Sequence, residues 1–342
     1  MKFQDMMKAV IKKAGLILIS ILMFSCGSYR ITRISILLPG QVNFPPDVHS
    51  LSLVLMKNEL NMPEGRLDSI DNISLDPEFN YYQFAREYLY GLNHTLQESP
   101  RFQNIVITDL NKFDSLGFKT EFDWREIIRI CKRDSTDAVI LIDDFFLEDS
   151  LETIDWIGGY LVKYQLKNSL NILVLIPKMQ DIAGRYYVSN EDSWHGFDLS
   201  FESATNQLPE PADMILLSCY ETGQKAGKRI APLWSDGIKR IYFARGNKFL
   251  TRGASYAKKD MWREAAGYWR MAADSKKNKT SAKAAYNMAL VCEIEDKLEL
   301  AQDWIALSDS LRSTEFSILY QQILQTRFKH QTMLDKQMGV QE

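Results

Sequence analysis

The chain has 342 residues, of which 25% are charged and 11% aromatic, and a formal charge of −3. That length can hold about two domains, and the composition is globular rather than disordered. An acidic body lacks the basic footprint that nucleic acid requires, so no nucleic-acid partner is expected.

Residues 1–25 read as an export signal, with Lys8, Lys12 and Lys13 before the apolar run Ala14–Phe24. The run is too short to span a bilayer and suits a signal peptide. It closes in Met23-Phe24-Ser25-Cys26, which resembles a bacterial lipobox in having a small residue before a cysteine. The resemblance implies cleavage before Cys26, diacylation of its thiol and a third acyl chain on the new amino group. Several chains anchor a domain stably where one would not. The leader carries +3, so the remainder carries −6. The expected location is the cell envelope, lipid-anchored at the outer membrane and facing the periplasm, because Gly27-Ser28-Tyr29-Arg30 carries no acidic run. Cys131, Cys219 and Cys292 fall in apolar helical patterns with no metal-ligand spacing and read as buried thiols, so no metal or cofactor is expected.

Ile31–Leu38 alternates as a strand, and Leu51–Met56 is an apolar run suited to a strand covered on both faces. Glu78–Gln97 repeats Phe79, Phe84, Tyr88, Leu92 and Leu96 at helical spacing. Asn104–Thr108 is a short buried strand. Asp123–Lys132 is a helix with Asp123 as N-cap and Glu126 at the capping-box position. Ala138–Phe146 is the next buried strand, so the alternation predicts a largely parallel α/β layer. Tyr160–Pro177 and Arg185–Asn190 then read as antiparallel strands, and Ser193–Gly196 ends the sheet. Phe197–Pro211 reads as a polar loop. Ala212–Ile230 is a helix in which Gly223 and Gly227 permit a close neighbour. Pro232-Leu233-Trp234 marks a hinge, and Ile238–Arg245 reads as a further helix.

Two copies of one pattern follow. Gly253 aligns with Ala289, Tyr256 with Cys292, Ala265 with Ala301 and Ala272 with Ser308, an offset of 36 residues. Small residues at Gly253, Ala265, Ala289 and Ala301 would let helix axes approach, while Phe249, Tyr256, Trp269 and Ile305 fill the layer between. This pattern resembles the tetratricopeptide repeat, whose period is about 34 residues. The resemblance implies helical hairpins with a protein-binding face. The residues Phe316–Asp335 could supply a further helix or cap.

The expected architecture is therefore an α+β or α/β N-terminal domain with a mixed sheet, followed by an all-α, tetratricopeptide-like hairpin domain. Its segments are a signal peptide (1–25), a lipidated tether with the first strand (26–50), a mixed α/β domain (51–210), connecting helices (211–245) and the repeat domain (246–335). A wider resemblance rests on Arg229–Trp234, Arg240-x-Tyr242, Gly246-Asn247 and Ala285–Ala289. Together these are similar to a family of uncharacterised bacterial lipoproteins carrying a domain of unknown function. The α/β portion is also distantly similar to the small domain at the start of TolB-like and curli-secretion lipoproteins.

No nucleophile elbow, phosphate loop, dinucleotide fingerprint or paired-histidine metal motif occurs, so an enzyme is not expected. Asp143 and Asp144 near a strand end, and Trp194 beside His195, are the candidates for a ligand site. The run Asp274–Lys279 reads as a solvated loop whose basic face could touch lipid head groups or peptidoglycan. Five Asp-Ser pairs that precede an aliphatic residue or Thr, starting at Asp68, Asp114, Asp134, Asp149 and Asp309, resemble an O-glycosylation acceptor pattern of some envelope proteins, although the pair is also favoured in caps and turns. The leading expectation is a lipid-anchored envelope protein, non-catalytic, that binds a protein partner through its helical region. The alternative is a small-ligand or glycan-binding lipoprotein that uses the α/β domain.

Overall fold

The computed structural model describes residues 28–55, 81–108 and 123–339. The export signal, Cys26, and the Asp-Ser pairs at Asp68 and Asp114 lie outside the described residues. The chain separates into two compact units. One holds the described residues up to Ile36 together with Ser235–Gln331; the other holds Leu37–Trp234 and the described residues from Thr332.

The second unit is built on a five-stranded sheet. Its strands are β2 (Ser50–Leu55), β3 (Asn104–Thr108), β4 (Ala138–Trp156), β5 (Gly159–Ile176) and β6 (Asp181–Asp198). The order is β3-β2-β4-β5-β6. Leu51 pairs with Ile105 on one side and Ala138 on the other, both in parallel, and β4, β5 and β6 run antiparallel. The apolar runs LSLVL and AVILI thus become the parallel half, where both faces are covered, whereas NIVIT, expected to be buried, is the partly buried edge strand.

One face packs on helices α1 (Tyr81–Gln97) and, later in the chain, Pro211–Ile230, around Leu53, Ile140, Ile172, Leu92 and Ile215. The other face packs on α2 (Trp124–Asp134) through Ile127, Ile130, Val139 and Leu173. Asp123 caps α2 by accepting from the Arg125 amide at 2.9 Å. At its other end Ser135 sits at φ 54°, so the pair Asp134-Ser135 terminates the helix. The helices α3 (Phe201–Thr205) and α4 (Pro211–Ile230) follow β6. α1 and α4 cross closely: a Cβ on Gly223 would overlap the Tyr88 carbonyl oxygen, and one on Gly91 would overlap that of Tyr220.

Three expectations are corrected here. Ser193–Gly196 does not end the sheet but pairs with β5 inside β6, because β4, β5 and β6 run on together as a three-stranded ribbon. Its tip turns at Gly158 and Gly159, whose φ values of 129° and 145° suit glycine. The segment Phe197–Pro211 contains a helix, α3, capped by the Ser200 hydroxyl. Ile238–Arg245 is not a helix: Leu233–Phe243 forms strand β7, paired with β1 (Tyr29–Leu38) in a separate two-stranded sheet.

The rest of the first unit is helical: α5 (Lys248–Ala257), α6 (Trp262–Ala273), α7 (Asn278–Ile294), α8 (Leu298–Leu311) and α9 (Glu315–Met338) as far as Gln331. α5 packs on α6, α6 on α7 and α7 on α8. α7 is buried nearly all round from Thr280 to Glu293. Its Asn287 accepts from the Phe243 amide at 2.7 Å and donates to the Phe243 carbonyl at 2.8 Å, which closes the end of β7 in place of a further strand.

Candidate functional site

The repeat residues show how far the local reading placed the helical core. Gly253, Ala265, Trp269, Ala272, Ala289, Cys292 and Ala301 are all buried. A Cβ on Gly253 would collide with the Trp269 indole, and that indole donates to the Leu250 carbonyl at 3.3 Å. Phe249 and Tyr256 do not fill the interior layer as expected; both are half-buried at the margin. α5 turns Leu250, Gly253, Ala254 and Ala257 inward, at the i, i+3, i+4, i+7 spacing of one helix face. Phe249 is left under the Lys248 ammonium, and Tyr256 stacks on Tyr268 at 5.3 Å.

The polar centre of this unit is Glu293. It takes two bonds from the Arg240 guanidinium at 2.6 and 2.8 Å and one from the Tyr320 hydroxyl at 2.7 Å. Arg327 approaches it at 3.8 Å and pairs with Asp296 at 2.7 Å. Burial and the Glu293 charge push the Tyr320 hydroxyl well above the ordinary tyrosine value, so it stays a donor. Every group points at another protein group, which makes the cluster a brace that joins β7, α7 and α9.

The outer surface of α8 is different. Leu298, Ala301, Ile305 and Ser308 form its buried face. A second apolar row, Leu300, Trp304, Leu307 and Leu311, runs at i, i+4, i+7, i+11 on the other side. Leu300 and Leu307 are 46% and 42% exposed, while Trp304 and Leu311 are half-buried. Glu299 and Asp303 stand exposed beside the row. A helix apolar on two sides ordinarily covers both. Sequence reasoning passed over this row because the repeat pattern accounts only for the inner face.

The expected ligand residues are not brought together. Asp143 and Asp144 sit within β4 rather than at its end, at a bulge between Ile142 and Asp144. Asp144 is exposed and accepts from the Phe145 amide at 2.8 Å. Trp194 and His195 are neighbours in a strand and so face opposite sides. Trp194 packs on Tyr164 at 5.9 Å; His195 is exposed beside Ser193. Asp144 lies in the row of Asn171, whereas His195 lies in the row of Lys163 and Glu152, eight residues further along β4. At ~3.3 Å per residue that is roughly 26 Å, too far for one site.

A cavity of about 430 Å³ lies instead between Val48, Ile128, Cys131, Ile176 and Pro177. Its carboxylates are already engaged: Asp47 pairs with Lys178, and Asp137 accepts from the His49 and Ser50 amides at 2.9 Å. Burial pushes the Cys131 thiol up to about 11, so it holds its proton at neutral pH. The Cys219 and Cys292 thiols are likewise free and buried, raised to about 12 and about 11 by desolvation. Among the described residues no group of three or more His, Cys, Asp or Glu could hold a metal, and no helix is long and apolar enough to cross a membrane.

A mixed sheet flanked by helices, followed by a helical region, defines the class of this protein. The profile of a domain of unknown function (DUF8603) matches residues 53–243, more than half of the chain, and the chain belongs to that family. A second domain of unknown function (DUF6340) matches residues 251–327. None of the curated proteins matches the chain. Among solved structures, a neuraminyllactose-binding hemagglutinin homologue from Helicobacter pylori is 13% identical. It covers 54% of this chain and 82% of its own, with a TM-score of 0.28. A PelC dodecamer from Paraburkholderia phytofirmans is 6% identical, covers 58% of this chain and 99% of its own, and scores 0.21. Likenesses that distant carry no argument about fold or function.

Proposed function

We propose that this is a non-catalytic interaction protein of the cell envelope, held to the membrane by lipid on Cys26, whose helical region binds a segment of another protein. On this reading the helices α5 to α8 are two tetratricopeptide-like hairpins. The observation that carries it is the outer row Leu300, Trp304, Leu307 and Leu311 on α8. Burying such a row is worth about 25 cal/mol for each Å² removed from water. The partner it fits is an amphipathic helix whose apolar face lies on the row and whose basic flanks meet Glu299 and Asp303. The lipobox resemblance supports the anchor, and the outer-membrane, periplasm-facing location belongs to the same proposal.

The test compares the wild-type protein with Leu300→Glu/Leu307→Glu after cross-linking in the envelope. A partner joined to wild type and absent from the variant, at an unchanged melting temperature, is the expected result. Equal cross-linking of that partner to both proteins, or cross-linking only between copies of this chain, overturns the proposal.

A further inference from the structure

A second cavity, of about 280 Å³, lies within the helical unit and is lined by Ser28, Phe243, Lys279, Lys283, Arg312 and Phe316, among others. Three cations converge on it from separate places: Lys279 and Lys283 from the first two turns of α7, and Arg312 from the end of α8. No carboxylate among the described residues pairs with any of the three, although salt bridges are made elsewhere in the same unit. The Lys283 ammonium instead donates to the Arg245 carbonyl at 3.2 Å and lies 5.2 Å from the centre of the Phe243 ring. Phe243 and Phe316 meet edge to face at 5.9 Å, and Tyr29 packs on Phe316 at 5.5 Å. The cavity therefore has an aromatic floor and a cationic rim.

Like charges brought together with no counter-charge raise each other's free energy. Lys283 shows the cost: burial, and then the charges of Lys279 and Arg312, hold its ammonium below the ordinary lysine value. A bound anion would reverse that repulsion. Two ammonium groups and a guanidinium around one space match the non-bridging oxygens of a phosphate group. The aromatic floor suits an ester whose organic part is apolar. The wall residue Ser28 is two positions beyond Cys26 in the sequence.

We propose that this cavity is a binding site for a phosphate group, with Lys279, Lys283 and Arg312 as its ligands and Phe243 and Phe316 beneath the esterified part. The site stands on this geometry alone and does not depend on the protein-partner reading of α8. The phosphate can come from a lipid head group or from a soluble phosphate compound. The full chain in neutral detergent is titrated calorimetrically with inorganic phosphate, with short-chain phosphatidylglycerol and with the matching diacylglycerol that lacks phosphate.

Binding of inorganic phosphate identifies a soluble source, and binding of phosphatidylglycerol without inorganic phosphate identifies a head group; both support the site. In either case Lys283→Gln/Arg312→Gln weakens binding about tenfold or more, the loss of two charge-assisted bonds. Lys276→Gln, which alters the same basic run outside the cavity, leaves binding unchanged. If the double variant does not fold, Lys279→Gln, at an exposed position, takes its place. No binding of either phosphate compound, equal binding of diacylglycerol, or binding that survives in the cavity variants overturns the proposal.

Discussion

In the helical unit the central buried polar group is a full charge. Glu293 is 1% exposed and is satisfied by Arg240, Tyr320 and Arg327. In the sheet unit the buried hydrogen-bonded chain that ties α4 to β5 is built on neutral groups. The Asn168 amide donates to the Ser218 hydroxyl and accepts from that of Thr222, and charge enters only at the outer end of the chain, through Asp192 and Lys225. Both arrangements tie a helix to strands. They fail differently, because a buried charge that loses its partner is left with nothing, whereas a neutral chain loses one net bond at a time.

Glu293→Gln gives the largest expected effect. It keeps the shape and removes the charge that Arg240 faces, at a cost of about 3 kcal/mol. Native-state hydrogen exchange of the α7 amides reads the loss; a change under about 1 kcal/mol would show that the two regions are built alike after all.

A smaller effect contrasts two glycines in helices. Gly223→Ala forces apart the α1–α4 crossing at the Tyr88 carbonyl and destabilises the sheet unit by about 1–3 kcal/mol. Gly267→Ala, where an added Cβ meets nothing within 4 Å, stabilises the helical unit by up to about 1 kcal/mol. Thermal melting separates the signs, and a gain or no change at Gly223 would refute the close-crossing argument.

The smallest effect is acid sensitivity. Burial raises the Asp134 carboxyl, but bonds from Arg133, Thr108 and Ser52 outweigh that and hold it below the ordinary carboxylate value. A group depressed on folding adds stability that is present above its unfolded value and lost as pH falls through its folded one. Asp134→Asn should flatten the fall in melting temperature below about pH 4. A wild-type acid limb in the variant would place that sensitivity elsewhere.

Much of the fold was legible because its signals are local. Apolar runs gave the parallel strands, and Asp123 with Glu126 marked the start of α2. The strand β7 was not legible. Ile238, Ile241 and Tyr242 also fit a helix face, and what makes them a strand is β1, some two hundred residues away. On α5, Phe249 and Leu250 are both apolar, and it is Leu250 that joins Gly253 in the buried face. Asp143 and His195 could not be separated by eye, since their distance depends on how far the ribbon extends. The cationic cavity was partly visible in Lys279, the last residue of the basic run, but Arg312 joins it only through the fold.

The end of α9 carries one more consequence, for the order of folding. Gln337 donates to the Gly40 carbonyl at 2.7 Å and accepts from the Gly40 amide at 3.1 Å. Partners 297 residues apart cannot meet until synthesis has passed through both, so the loop around Gly40 must wait for nearly the whole chain. Contacts of such separation form late and slowly. Until then Gly40 and Val42 present open backbone groups, which makes this closure the step at which a chaperone could hold the protein.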